Sequence, residues 1–179
     1  MILKKTMKYK GYLFTIEVDY DEFEGPPWSR CDGHGPVSDW TTRDKKPSEV
    51  VLFSIGGAKL YYDFSMAMKK AKEELWDAAP YGQGTRGERA ERAVRAVRAD
   101  IKYLRDYIDN VWVYVTLSVT LRGSGYTTSL GGVEYDYSEN GHWMTEVHLM
   151  ADELIANKLA DSRAAKIASR FKDAMTCGL

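Results

Sequence analysis

Residues 111–121 read VWVYVTLSVTL, eleven residues without a charge, rich in valine, threonine and aromatic side chains. Such a run suits a central strand buried on both faces, and the elements on either side can be placed from it. Upstream, Thr85-Arg86-Gly87-Glu88 has the T-x-x-E form of a capping box, in which the threonine hydroxyl and the glutamate carboxylate each accept a backbone N–H at a helix start. Ala90, Val94, Val97, Ile101, Leu104 and Ile108 then step by four and three, so the helix turns one apolar stripe inward. Downstream, glycines 123, 125, 131 and 132 punctuate a short strand or hairpin around YTTSLGGVEYDY. A third helix is expected from about Asn140, with Val147, Met150, Ala151 and Leu154 inward. It continues or breaks near Asp161, where Ala164, Ile167, Ala168 and Phe171 renew the stripe.

The first half of the chain begins in the same language. Residues 9–19, YKGYLFTIEVD, alternate as a strand with Tyr12, Phe14, Ile16 and Val18 on one face, a hairpin partner or sheet edge. Residues 24–40, EGPPWSRCDGHGPVSDW, hold three prolines and three glycines and read as a loop, ordered by packing of Trp28 and Trp40 against the sheet. Two strand-like runs, about 50–54 and 58–63, flank Gly56-Gly57, a hairpin signal. From Phe64 the period changes to that of a helix carrying Met66, Ala67, Lys70, Ala71 and Leu75, ended by Pro80, Gly82 and Gly84. Strands, two helices, strands and one or two helices give an α+β class: one domain over residues 1–179, an antiparallel or mixed sheet covered by three to four helices.

At 179 residues the chain is of one-domain size, and its 44% hydrophobic and 28% charged residues are those of a globular protein. Lysine and arginine total 25 against 26 for aspartate and glutamate, so no global field drives it to nucleic acid or an anionic membrane. The start of the chain lacks the apolar core of a signal peptide, and no stretch is apolar enough to span a bilayer. Cys31 and Cys177 lie almost a chain length apart and read as free thiols of a cytosolic protein.

Chemistry-bearing constellations are sparse. Cys31, Asp32 and His34 are ligand types for zinc but make half a site, and Gly33 and Gly35 explain the segment equally well as a tight turn. His142 and Glu146 share a helical face while His148 points about 200° away from Glu146, which leaves His148 to pair with Asp152. Neither a G-x-S-x-G turn nor a P-loop occurs, and GQGTRG at 82–87 follows a helix instead of a strand, so it reads as a helix–helix connection. No catalytic residue, metal or cofactor is assigned. A weaker enzyme reading centres on Asp32, His34 and Asp39.

Charge is unevenly distributed. Residues 84–105 carry seven basic and three acidic side chains, and Arg86, Arg89, Arg92, Arg95 and Arg98 recur every third residue. A three-residue step slips each arginine about 60° backward, so the five spiral around the helix. Arg89, Arg92, Arg95 and Arg98 are the candidate contacts for nucleic acid or an acidic partner, and a small nucleic-acid-binding protein using helix 86–105 is the alternative reading. Residues 123–157 hold six acidic side chains and no lysine or arginine, and residues 17–24, EVDYDEFE, add five acidic ones. Asp19, Tyr20, Asp21, Glu22 and Glu24 with Glu134, Tyr135, Asp136 and Tyr137 are the candidate partner-binding residues; the sequence leaves open whether the two segments merge into one acidic, aromatic surface suited to a basic protein groove or stay apart as ordinary charged surface.

The order of PPW, DGHGPVSDWTTRDKKP, LYYDF, RAVRADIKYLR, VYVTLSVTL, SLGGVE and HWMTEVHLMADELI resembles a family of small proteins encoded by tailed bacteriophages and prophages, over about residues 12–156. In that pattern a histidine often stands at the place of Cys31 and a tryptophan at Gly131, so the resemblance implies no cysteine chemistry at 31. It implies an accessory protein acting in the host bacterial cytoplasm. The expectation is a non-catalytic inhibitor of a host antiviral system of CRISPR or restriction type, whose partner is a host protein or ribonucleoprotein complex, with nucleic acid a weaker partner and no membrane.

Overall fold

The computed structural model describes residues 1–29, 33–40, 42–76 and 85–176. In chain order the elements are β1 (Leu3–Tyr9), β2 (Tyr12–Tyr20), a 3-10 turn (Pro27–Ser29), β3 (Val37–Trp40), β4 (Glu49–Ile55), β5 (Ala58–Asp63), α1 (Phe64–Glu73), α2 (Arg86–Ile108), β6 (Val113–Leu121), β7 (Thr127–Tyr135) and α3 (Trp143–Thr176). The class is α+β. All strand pairs are antiparallel, and they sort into two sheets, β1-β2-β6-β7 and β3-β5-β4, where the element order suggests one. Two compact units result: residues 1–24 with 113–179, and residues 25–112.

In the first unit, Lys10 and Gly11 both take positive φ and turn β1 into β2. The β1 strand escapes a reading by hydrophobic alternation because lysines stand at positions 4, 5 and 8; Leu3, Met7 and Tyr9 nevertheless pack against the core. With β1 in place, β2 lies inside the sheet. The β6 strand is central as expected, with one face wholly buried and the other buried only at Tyr114, which is 7% exposed. Val113, Val115, Leu117, Val119 and Leu121 face the core beside Phe14, Ile16 and Val18. Thr116, Ser118 and Thr120 are half-exposed on the other face, where Ser118 and Thr120 hydrogen-bond Ser129 and Thr127 at 2.8 and 3.0 Å. Hydroxyls satisfied across strands allow that face to meet solvent.

Trp143, Val147, Met150, Ala151 and Leu154 of α3 close the core. The helix then continues through Asp161, and residues 159–170 are all exposed. Ala164, Ile167 and Ala168 are exposed, Ile167 by 55%, so these positions of the second stripe do not face this core. Lys158, 5.1 Å from the Tyr12 ring centroid, and Asp161, bonded to Tyr126, tie the middle of the helix to the strands. His148 stacks on Tyr9 at 4.7 Å, and Asp152 accepts from Lys10 and Tyr9 instead of pairing with His148.

In the second unit Gly56 and Gly57, both at positive φ, turn β4 into β5, and the Asp63 carboxylate caps α1 by accepting from the Met66 N–H. Thr85 and Glu88 make the capping box of α2. Ala93, Val97, Ile101 and Leu104 bury its stripe against Leu52, Tyr62, Ala67 and Ala71. Ala93 rather than Val94 takes the first buried position of the helix. Pro80, Gly82 and Gly84 lie outside the described residues, and α1 ends before them by backbone geometry: Leu75 adopts φ 57°, and the Trp76 N–H bonds back to the Ala71 carbonyl at 3.0 Å.

Trp28 packs into this core, edge-on to Tyr107 at 5.9 Å, but Trp40 is 43% exposed. Instead of filling the core, Trp40 covers Arg43, whose guanidinium lies 4.6 Å from its ring centroid and 4.7 Å from that of Tyr61. Arg43 in turn forks onto the buried Glu49 carboxylate through two bonds of 2.7 Å. That pairing, opposed by burial and helped by the Lys46 N–H, holds Glu49 down at about 2.

Candidate functional site

Both acidic segments belong to the first unit, and the structure brings them together at one end of its sheet. Tyr20 pairs with Val115 in register, and Val115 with Val133, so the end of β2 lies one strand away from the end of β7. Asp21 is the joint. One carboxylate oxygen accepts the Phe23 and Glu24 N–H groups at 3.1 and 3.3 Å, a turn that stops β2. The other accepts the Gly132 N–H at 2.8 Å and the Thr116 hydroxyl at 3.1 Å.

The glycine pair explains how that bond forms. The β6–β7 register slips between Val115 and Leu117, Gly132 takes φ 68°, and its N–H turns out of the ladder toward Asp21. At Gly131 a Cβ would stand 2.7 Å from the Asp21 oxygen, so a side chain there would push the joint apart. The Gly132 N–H is the main cause that holds the Asp21 carboxyl below the usual aspartate range, against the opposing effect of burial.

Around this joint the residues expected to form a surface separate into exposed groups and struts. Tyr20 and Tyr137 are 57% and 45% exposed with their hydroxyls hydrogen-bonded, and Phe23 projects at 99% exposure. Burial first, then the bond to Tyr20, raises the Tyr137 phenol above the ordinary tyrosine value. Asp19, Glu22, Glu134 and Asp136 are exposed; Asp19 lies 2.8 Å from the Met1 amino group, and Asp136 accepts from the Ser138 N–H and hydroxyl. Glu24 is half-buried. Tyr135, expected on the surface, is 5% exposed, because its ring fits edge-on between Tyr137 at 5.1 Å and Trp143 at 5.2 Å. Asp21 and Tyr135 therefore hold the surface up, and Tyr20, Glu22, Phe23, Glu134 and Tyr137 present it.

The arginines of α2 do not form one stripe. Arg86, Arg89 and Arg92 line a cavity at the helix start, whereas Arg98 with Lys102 and Arg105 lines a groove on another flank that also holds Asp106 and Asp109. Arg95 is exposed and lines neither.

His34 belongs to a cluster that the sequence does not announce. Its Nδ1 lies 2.6 Å from Asp100 Oδ1, its ring stacks on Tyr103 at 5.2 Å, and its carbonyl accepts from Lys70 at 3.0 Å. The second Asp100 oxygen accepts from the Gly35 N–H at 2.8 Å and the Tyr62 hydroxyl at 2.7 Å. Burial would raise Asp100, but the bonds from His34, Gly35 and Tyr62 outweigh it and the carboxyl is lowered; Tyr62, buried against that carboxylate, is pushed far above the tyrosine range. The cluster ties the loop, β5 and both helices of this unit together. Asp39, on β3, is exposed and is not among its members. Cys31, Asp32 and Cys177 lie outside the described residues. Among the described residues no three histidine, cysteine or acidic side chains are close enough to hold a metal ion, and no helix is long and apolar enough to cross a membrane.

Compared with protein-family models, with curated proteins and with solved structures, the chain finds no match.

Proposed function

We propose that this protein acts by binding, and that the acidic, aromatic surface around Asp21 docks into a basic groove of a protein or ribonucleoprotein that handles nucleic acid. The observation behind the reading is the joint itself. Two segments a hundred residues apart are fixed side by side through Asp21 and Gly132, and the result presents carboxylates around a phenylalanine that is 99% exposed. Aromatic anchors supply desolvated area and carboxylates match lysine and arginine, the combination that interface energetics favour. Together with the resemblance to phage accessory proteins, this points to an inhibitor of a host antiviral complex acting in the bacterial cytoplasm.

The test is capture from bacterial lysate, followed by phage plating on hosts with defined defence systems. The chain should retain a nucleic-acid-handling complex, and the double variant Glu22→Lys, Phe23→Ala should lose it while keeping its fold. Retention by the double variant, or no relief of any defence system, overturns the proposal.

A further inference from the structure

We propose that the second half of α3 is an arm that enters the major groove of duplex DNA. Residues 159–170 are all exposed, and at 1.5 Å per residue they make about 18 Å of continuous helix. The arm belongs to the first unit. Its sequence, LADSRAAKIASR, holds three cations, one acid, two serines and four alanines.

The helical period sorts these side chains. Arg163 stands about two and a half turns beyond the buried Leu154, so it projects from the side of the helix opposite the core. Lys166 and Arg170 follow at steps of three and four and stay within about 60° of it. Ile167, 55% exposed, lies about 40° to the other side of Arg163, with Ala160 and Ala164 beyond it. Asp161, the one acid of the stretch, is bonded to Tyr126 on the strand side. Among the described residues no carboxylate pairs with Arg163, Lys166 or Arg170. The first half of α3 is fixed in the core through Trp143, Val147 and Leu154, and Lys158 rests against the Tyr12 ring at 5.1 Å. The arm is therefore presented as a preformed helix, which loses little conformational entropy on binding.

Charge complementarity selects the partner. Three cations on one flank, with the single acid turned away, match a polyanion. The major groove of B-form DNA, ~12 Å wide and ~8.5 Å deep, admits an α-helix. Alanines keep this face thin, the cations reach the phosphates of the rim, and Ile167 between them offers an apolar contact to a thymine methyl. A lipid surface suits the arm less, because an interfacial helix carries a face of large apolar side chains, and between 159 and 170 only Leu159 and Ile167 are large and apolar. The acidic surface stands at the far end of the helix. Trp143, where α3 begins, packs on Tyr135 at 5.2 Å, and Arg163 lies about 30 Å along the axis from Trp143. That is several times the ~8 Å screening length at physiological salt, so the carboxylates around Asp21 do not repel DNA held by the arm.

Fluorescence anisotropy of the full chain with a short labelled DNA duplex tests this, beside an RNA duplex of the same sequence and vesicles of phosphatidylcholine and phosphatidylglycerol in equal parts. DNA should bind with a Kd of about 10⁻⁴ to 10⁻⁶ M at physiological salt, and log affinity should fall against log salt with a slope of about −3, roughly 0.9 for each of three phosphate contacts. The triple variant Arg163→Gln, Lys166→Gln, Arg170→Gln should flatten that slope and weaken binding by about tenfold or more, whereas Arg98→Gln, on α2, should change it by less than about twofold. Ala164→Trp, which keeps every charge but thickens the face, should weaken DNA by about fivefold or more. Circular dichroism and thermal melting confirm that the variants are folded. The proposal is overturned if the triple variant binds DNA as the parent does, or if vesicles recruit the chain and DNA does not. It is equally overturned if duplex RNA, whose major groove is too narrow for a helix, binds as tightly as DNA. Glu22→Lys, Phe23→Ala should leave the DNA titration unchanged, so its outcome is separate from that of the docking surface.

Discussion

His34 and Asp100, sixty-six positions apart in the chain, meet through a 2.6 Å contact between Nδ1 and Oδ1. That one carboxylate, 8% exposed, also receives the Gly35 N–H and the Tyr62 hydroxyl. A loop dense in proline and glycine is thus fastened to α2 and β5 through one carboxylate, beside the bond from the Asp63 N–H to the Pro36 carbonyl. Removal of a partner from a buried group leaves the others unsatisfied, at a cost of about 1–3 kcal/mol. Asp100→Asn is therefore expected to destabilise the chain by about 2–3 kcal/mol, and Tyr62→Phe, which deletes one donor, by about 1 kcal/mol. Urea unfolding of the two variants measures both, and equal effects would deny Asp100 its central place.

Acid should loosen the second unit. Asp100 and Glu49 both have folded values below their ordinary ones, with Glu49 lowered from 4.5 to about 2. A depressed acid binds its proton more readily in the unfolded chain, so its contribution is complete above the ordinary value and is lost as pH falls through the folded one. Stability should decline as pH drops from 4.5 toward 2, and Glu49→Gln should flatten that decline. Thermal melts at a series of pH values read it out; an unchanged slope in the variant would refute the assignment.

Asp21 and Glu22 are adjacent acids with opposite roles. The first accepts four bonds and joins β2 to β7, and the second is exposed. Glu22→Lys should change stability by less than about 0.5 kcal/mol, as surface substitutions do. Asp21→Lys should cost about 2 kcal/mol or more by orphaning the Gly132 N–H and its companions. Equal melting temperatures for the two would contradict the joint.

Two apolar positions of α3 separate its packed half from its exposed half. Leu154, 2% exposed, should cost about 2–5 kcal/mol when replaced by alanine. Ile167, 55% exposed, should tolerate lysine within about 0.5 kcal/mol. Denaturant midpoints distinguish the two, and a large loss for Ile167→Lys would mean that a second copy or a partner covers this stretch.

Local chemistry was readable before any fold existed. The alternation of Phe14, Ile16 and Val18, the turn at Gly56-Gly57, the Thr85–Glu88 capping box and the four-three stripe of α2 act within a few residues of themselves, so the sequence alone determined those elements and the α+β class. The backward slip of the arginines was equally legible, because it depends only on the helical period. Tertiary structure decided what depends on partners far along the chain. The β1 strand, with its three lysines, becomes a strand by pairing with β2; β6 keeps Thr116, Ser118 and Thr120 half-exposed on the face opposite the core; Trp40 is spent on Arg43; and Ile167 in the second half of α3 stays exposed. Asp100 sits in a helix as one more charge until the loop returns to it, and Asp21 becomes a joint only when a bulge at Gly132 turns an N–H toward it. Composition and spacing fix which groups a segment carries. Which of those groups is desolvated, paired or presented is set by distances that folding alone creates.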